Sequence, residues 1–149
     1  MPRPMQVDFY QLTRDPAEHV IPAIAQKILD DGGRLLVVGF DNAQLARLSA
    51  SLWSLKPDSF LAHEIAGEGD ESAQPVLLAT QVVSTNGALM VALADGEWRE
   101  DVLGFERAFY LFPPEKTENA RAAWRALADK PDVERRYWKQ DGGKWRQGP

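Results

Sequence analysis

The stretch that decides the fold class of this sequence is RLLVVGF, residues 34–40. It is a nearly continuous apolar run, which is typical of a strand buried on both faces of a parallel sheet. Gly32-Gly33 ends the segment before it, and Asp41 or Asn42 can cap a helix after it. A buried strand between two helices predicts an α/β architecture.

Apolar residues recur three or four positions apart on both sides of this strand. The spacing predicts a first helix that begins near residues 15–16 and a second helix between residues 41 and 53. The apolar positions are Ile21, Ile24 and Ile28 in the first helix and Leu45, Leu48 and Leu52 in the second. Pro22 predicts either an irregular first turn or a later start of the first helix.

The remaining pattern alternates between strands and helices. Strands are predicted at 7–12, 75–80, 88–94 and 107–112, helices within 97–105 and at 118–130, a loop at 63–69, and a terminal hairpin around residues 141–143. This alternation predicts one three-layer α/β domain over residues 1–149, with a mostly parallel central sheet and helices on both faces.

Composition and charge exclude several classes of protein. The 149-residue chain has no cysteine, which excludes disulfides and Cys-ligated zinc and fits a cytoplasmic location. No apolar run is long enough to span a bilayer and no secretory signal is visible, so we expect no membrane association. A net charge of −5 disfavours direct coating of nucleic acid.

The charge is distributed unevenly along the chain. Residues 1–103 carry 7 Lys and Arg against 15 Asp and Glu, a net charge of −8, whereas residues 104–149 carry 10 against 7, a net charge of +3. Three of the five tryptophans also lie in this C-terminal third. A basic, aromatic end on an acidic body indicates a site for an acidic partner, and an ordinary solvated face is the alternative.

The residues that common α/β enzymes need are missing. A dinucleotide site requires a glycine-rich turn after the first strand, and LTRDP at residues 12–16 contains no glycine. The motifs G-x-S-x-G and H-E-x-x-H are also absent. The acidic residues of segment 64–71 are expected to be solvated rather than to hold a divalent cation. We therefore expect no catalytic residue, no cofactor and no metal.

Seven short segments in a fixed order are more informative than any single motif. They are VDFY (7–10), RLSASLW (47–53), SFLAH (59–63), QPVLL (74–78), GFER (104–107), AAWR (122–125) and YWK (137–139). Together, across residues 6–146, they resemble the chi subunits of bacterial DNA polymerase III, accessory proteins of the clamp-loader complex. The resemblance implies a Rossmann-like fold with no nucleotide site and no catalytic activity.

The resemblance also implies partners. Chi proteins are adapters that bind the acidic, phenylalanine-ended C-terminal tail of single-stranded DNA-binding protein, and many pair with the psi subunit. We therefore expect this chain to bind that tail, to bind psi or another clamp-loader or repair protein, and to contact DNA only indirectly.

Tail-binding residues are carried over from the family to the last predicted helix. Arg121 and Trp124 match the family's basic and aromatic pair, and their spacing of three residues puts them on one helix face. Arg125 lies one turn beyond Arg121, Lys116 lies at the helix entrance, and Phe112 matches the apolar residue that ends the preceding strand. The segment that leads into the helix is shorter than in better-known chi proteins, and some of these carry tyrosine in place of Trp124. The alternative is that Trp124 belongs to the core and Arg121 only to the solvated surface.

A second interface is implied at the end of the second helix. The family uses a tryptophan that closes this helix and a phenylalanine after it, which are Trp53 and Phe60 here. They are expected to form an exposed aromatic patch, and core packing is the alternative. The competing class is an α/β nucleotide-binding protein or enzyme with an unrecognised site, and the turn between the first strand and the first helix is where a bound phosphate would reveal it.

Overall fold

Eight strands and three α-helices form in the part of the chain that the computed structural model describes, residues 4–54, 63–67, 74–141 and 144–148. The strands are β1 (Met5–Gln11), β2 (Leu35–Val38), β3 (His63–Ile65), β4 (Val76–Ala79), β5 (Met90–Leu93), β6 (Arg107–Phe112), β7 (Val133–Asp141) and β8 (Lys144–Gln147). The helices are α1 (Ala17–Asp30), α2 (Asn42–Ser54) and α3 (Thr117–Leu127), with 3-10 turns at Glu100–Gly104 and Pro114–Lys116.

All the strands belong to one sheet in the order β3-β4-β2-β5-β6-β1-β7-β8. Every neighbouring pair is parallel except β7 and β8, which are antiparallel. The four residues of β2 and the four of β4 are all buried, because both faces of these inner strands are covered. The predicted α/β class, the mostly parallel sheet and the C-terminal hairpin are confirmed.

The helices cover the two faces of the sheet. α1 and α2 pack on one face, and their apolar stripes join a core cluster with residues such as Leu35 and Phe109. α3 packs on the other face over Val7, Phe9 and Tyr110. The predicted three-layer arrangement is therefore correct, and β1 lies between β6 and β7, with α3 crossing over it.

The start of α2 follows the capping chemistry of the sequence, whereas α1 and α3 begin without a side-chain cap. Asp41 caps α2, since its carboxylate accepts a hydrogen bond from the Gln44 backbone N–H at 2.8 Å. α1 begins at Ala17 and continues through Pro22, which is buried, so neither the irregular first turn nor the later start predicted there is observed.

One predicted loop is wrong over its first three residues, while residues 66–67 form a turn. Residues 63–69 were expected to be irregular because glycine and acidic residues dominate them, but His63–Ile65 form β3 and pair in parallel with β4. A three-residue strand carries too little periodicity to be recognised, and its conformation comes from pairing with β4.

Candidate functional site

α3 presents one apolar and one basic side. The segment before it contains Pro113-Pro114, and the Thr117 hydroxyl donates a hydrogen bond to the Pro114 carbonyl at 2.7 Å where the helix begins. Ala120, Ala123 and Leu127 face the sheet and are buried. The residues between them therefore point sideways or outward, as the helical period requires.

Trp124 lies at the border between the core and the surface. Its ring is half-buried and meets Phe9 edge-on at 5.1 Å and Tyr137 edge-on at 5.8 Å between centroids. The guanidinium of Arg135 lies 4.2 Å from the ring centroid and donates a hydrogen bond to the Trp124 carbonyl at 2.7 Å. Trp124 is thus held rigidly while part of it stays accessible, which is how an aromatic pocket wall is built.

Arg121 and Arg125 are exposed on the same helix. The Arg121 side chain is 63% exposed and forms an ion pair with Glu118 at 3.0 Å. Burial raises the pKa of the Tyr137 phenol, and the positive charge of Arg121 opposes this rise. Arg121 and Trp124 thus lie one turn apart on α3, the Trp124 ring packs on Tyr137, and Arg125 lies one turn beyond Arg121.

Phe112 and Lys116 both precede α3, but Phe112 is buried and Lys116 is in an ion pair. Phe112 is fully buried and packs on Tyr137 at 6.1 Å between ring centroids, so it lies beneath the surface rather than on it. Lys116 forms an ion pair with Glu97, whose hydrogen bond and charge raise the pKa of the lysine. Gly96 permits this contact, because a Cβ there would lie 2.8 Å from the Lys116 Cγ.

Tyr137 and Arg135 are residues of this site that the sequence did not reveal. Both lie on β7, where the period of two places them on the same side. The alternation in the sequence could have grouped them, but only the parallel pairing of Tyr137 with Phe9 of β1 brings that side under α3.

Trp53 lies near the end of α2, which packs on the face of the sheet opposite to α3. Its side chain is 51% exposed, so the core alternative is wrong for this residue. Its ring packs against His63 at 5.0 Å between centroids, and the His63 Nε2 is 2.8 Å from the Ser49 hydroxyl. Phe60, expected beside Trp53, lies outside the described residues.

Comparison with known proteins identifies the family. The sequence profile described as "DNA polymerase III chi subunit, HolC" matches residues 5–131 of this chain. The chain belongs to the DNA polymerase III chi subunit family. This membership connects it with DNA replication.

A curated relative agrees with this membership. DNA polymerase III subunit chi of Escherichia coli (strain K12) is 32% identical over 78 residues, which are 48% of this chain and 53% of that protein. The match thus spans about half the length of each chain. The C-terminal hairpin of this chi-family chain, β7 and β8, lies beyond the residues that the family profile covers.

The turn between β1 and α1 is occupied by the hairpin itself. The Gln140 side-chain oxygen accepts hydrogen bonds from the backbone N–H groups of Thr13 (3.1 Å), Arg14 (3.1 Å) and Asp15 (3.3 Å). The Gln140 amide nitrogen in turn donates to the Asp15 carboxylate at 2.8 Å. In nucleotide-binding α/β folds a phosphate takes the position that this amide oxygen occupies here.

Two further findings concern the described part of this chi-family chain. None of its helices combines the length and the apolar character that crossing a membrane requires. No group of three or more His, Cys, Asp or Glu side chains converges within the described residues to hold a metal ion.

Proposed function

We propose that this chi-family chain is a single-domain, non-catalytic replisome adapter. It binds the acidic, phenylalanine-ended C-terminal tail of single-stranded DNA-binding protein through α3 and links that protein to the clamp loader, so that it meets DNA only indirectly. The observation that carries this proposal is the exposed Arg121 guanidinium one helical turn from Trp124, whose half-buried ring packs on the ring of Tyr137.

The chemistry of these three residues suits the end of such a tail. A phenylalanine at the C-terminus brings an aromatic ring and a carboxylate on the same residue. Arg121 offers a planar set of donors for the carboxylate, and the edge of Trp124 together with Tyr137 offers an aromatic surface for the ring. Arg125, one turn beyond Arg121 on α3, adds a positive charge that attracts an acidic peptide.

Phe112 and Lys116 have supporting roles in this proposal. Phe112 fixes the position of Tyr137 from below, since the two rings are 6.1 Å apart. Lys116 contributes less to recognition than Arg121, because Glu97 already neutralises much of its charge.

The occupied turn after β1 supports a binding role over a nucleotide-dependent one. A phosphate would have to displace Gln140 from three backbone amides and expose a side chain that is only 6% exposed. It would also meet the Asp15 carboxylate next to those amides. Both effects oppose anion binding there.

A second partner is proposed at Trp53. Half of this large aromatic side chain is exposed, and contact with His63 restricts its orientation. Exposed, pre-oriented tryptophans are frequent anchors of protein interfaces. The partner proposed here is the psi subunit or another clamp-loader or repair protein.

Calorimetric titration of the full chain with a synthetic peptide of the acidic, phenylalanine-ended tail tests the main proposal. We expect saturable one-to-one binding that is weakened strongly when the peptide's C-terminal carboxylate is amidated or its final phenylalanine is replaced by alanine. A scrambled peptide of equal charge is the control. Equal binding of the native and scrambled peptides would mean that charge alone is recognised and would refute the proposed site.

A further inference from the structure

The β7–β8 hairpin carries positive charge that the family assignment leaves unexplained. Residues 133–147 contain five Lys and Arg against two Asp and Glu, in a chain with a net charge of −5. The family profile ends at residue 131, before the hairpin begins. Arg135 supports Trp124, but Lys139, Lys144 and Arg146 are exposed, so packing does not require their positive charge.

Strand alternation places three of these cations on the side of the sheet that α3 covers. Arg135 and Tyr137 contact Trp124 of α3, and Lys139 is the next residue on that side. The antiparallel register places Arg146 of β8 opposite Lys139. We name Arg135, Lys139 and Arg146 the hairpin cationic face.

The hairpin cationic face is continuous with the proposed tail site and remains accessible. Arg135 lies over the Trp124 ring, whereas Lys139 and Arg146 are exposed further along the hairpin. The ion pair of Arg146 with Asp141, at 2.7 Å, has side chains that are 78% and 56% exposed. Such an exposed pair is worth little and exchanges readily for another anion.

The opposite flank of α3 has the opposite charge. Residues 94–106, between β5 and β6, contain five Asp and Glu against one Arg; Glu97 is paired with Lys116, and Glu100 accepts a hydrogen bond from the Trp98 indole at 2.9 Å. The Trp98 ring packs on Phe9 and Tyr110, on the β6 side of the sheet. An acidic chain that leaves the Trp124 site is therefore repelled from the β6 side and attracted to the side of β7 and β8.

We propose that the hairpin cationic face is a second subsite for the tail, which holds the acidic residues that precede its C-terminal phenylalanine. This inference rests on the proposed function and adds to it the direction in which the bound tail runs. Arg135 and Lys139 are about 13 Å apart along the strand, which spans about four residues of an extended peptide. The subsite therefore recognises an acidic stretch of that length next to the apolar end.

Two peptides separate this subsite from the pocket. The short peptide has one aspartate before an apolar, phenylalanine-terminated end, and the long peptide adds about four aspartates, matched to the span of the hairpin. We expect the wild-type chain to bind the long peptide about five- to tenfold more tightly than the short one, as two or three exposed charge contacts provide. Fluorescence anisotropy of the labelled peptides measures this ratio.

The decisive variant is Lys139→Gln combined with Arg146→Gln. We expect the ratio between the two peptides to fall close to one, while affinity for the short peptide and the melting temperature stay unchanged. The matched control is Lys27→Gln combined with Arg47→Gln, which removes two exposed charges from the helices on the other face of the sheet. We expect this control to keep the wild-type ratio.

Three results would overturn the inference in different ways. A wild-type ratio in the hairpin variant means that the tail runs elsewhere, with the proposed function intact. Failure of both peptides to bind the wild-type chain refutes the proposed function and, with it, this subsite. Tight binding of an oligothymidine that the hairpin variant loses, with no difference between the peptides, would assign the face to single-stranded DNA instead.

Discussion

Arg121 and Arg47 differ in their neighbours far more than in their exposure. Their side chains are 63% and 62% exposed, and each forms an ion pair with a glutamate, at 3.0 Å and 3.7 Å. Arg121 alone of the two lies beside an aromatic surface, formed by Trp124 and Tyr137. Exposure and charge therefore do not distinguish Arg121 from Arg47. The neighbouring aromatic rings do.

Arg121→Ala tests this difference. We expect the affinity for the tail peptide to fall by about 1.5–3 kcal/mol, roughly ten- to a hundredfold, because a charge-assisted hydrogen bond to the terminal carboxylate is lost. We expect the melting temperature to stay near that of the wild type, since the guanidinium is exposed. Arg47→Ala is the matched control and should change neither quantity. Equal weakening in both variants would reduce the role of Arg121 to general charge.

Trp53→Ala addresses the second interface. Its exposed ring predicts a loss of about 1 kcal/mol in the free energy of unfolding, well below the ~3–5 kcal/mol typical of a buried aromatic residue. Binding of the second protein partner should be abolished, as measured by co-purification of the two proteins. A variant that keeps full partner binding would remove Trp53 from the interface.

Elements that carry a clear period were predicted correctly, and those that depend on tertiary pairing were not. The helices and the inner strands follow from apolar spacing, and the hairpin follows from Gly142-Gly143 between two alternating segments. β3 was missed because three residues beside a glycine carry too little pattern. The contribution of Tyr137 to the α3 surface was missed because β7 joins the sheet next to β1, which is 120 or more residues away in sequence.

The hairpin also stabilises the β1–α1 turn through the Gln140 side chain. The variant Gln140→Ala tests this role. Loss of the shared acceptor leaves three backbone N–H groups without a protein partner, and we expect a cost of about 1–3 kcal/mol in the free energy of unfolding. Amide hydrogen exchange at Thr13, Arg14 and Asp15 should accelerate at the same time. Lys139→Ala, on the neighbouring exposed position, should change stability by less than about 0.5 kcal/mol. Unchanged exchange rates in Gln140→Ala would show that water replaces the amide oxygen without cost.

At the scale of the whole molecule, the division of charge makes binding of an acidic peptide sensitive to salt. The body of the chain repels the peptide and the C-terminal third attracts it, and both effects are screened over about 8 Å at physiological ionic strength. The attractive contacts at α3 lie closer to the peptide than the repelling charges of the body, so attraction dominates. Salt screens this attraction, and we therefore expect the dissociation constant of the tail peptide to rise as salt is added. Titrations at several salt concentrations measure this slope. Binding that does not change with salt would contradict contacts by Arg121 and Arg125.

All three tyrosines of the chain are held in their neutral form by the fold. Burial, with a smaller contribution from Asp8, raises the pKa of Tyr10 from 10.0 to about 12. Burial also raises the pKa of Tyr110 and of Tyr137. The native protein should therefore show little tyrosinate absorbance at a pH of about 10, where unfolded tyrosine is half ionised.

The same shifts set the alkaline limit of stability. Between about pH 10 and pH 12 the unfolded state binds fewer protons at Tyr10 than the folded state, so the free energy of unfolding falls as pH rises. Below that window the contribution is fully present. Urea denaturation at increasing pH measures the fall, and Tyr10→Phe should make it shallower. A native protein whose tyrosines all ionise near pH 10 would contradict this account.

The position of β1 also determines when the sheet can be completed during synthesis on the ribosome. β1 is the first of the described strands to be translated, but both of its neighbours, β6 and β7, come from the last third of the chain. The pairs between β2, β4 and β5 become available once residue 93 has emerged, whereas β1 reaches its second neighbour only when residue 139 follows. A nascent chain therefore carries β1, with its aromatic side chains, unpaired until residues 107–139 have emerged, and the surface around Trp124 and Tyr137 forms only after that point.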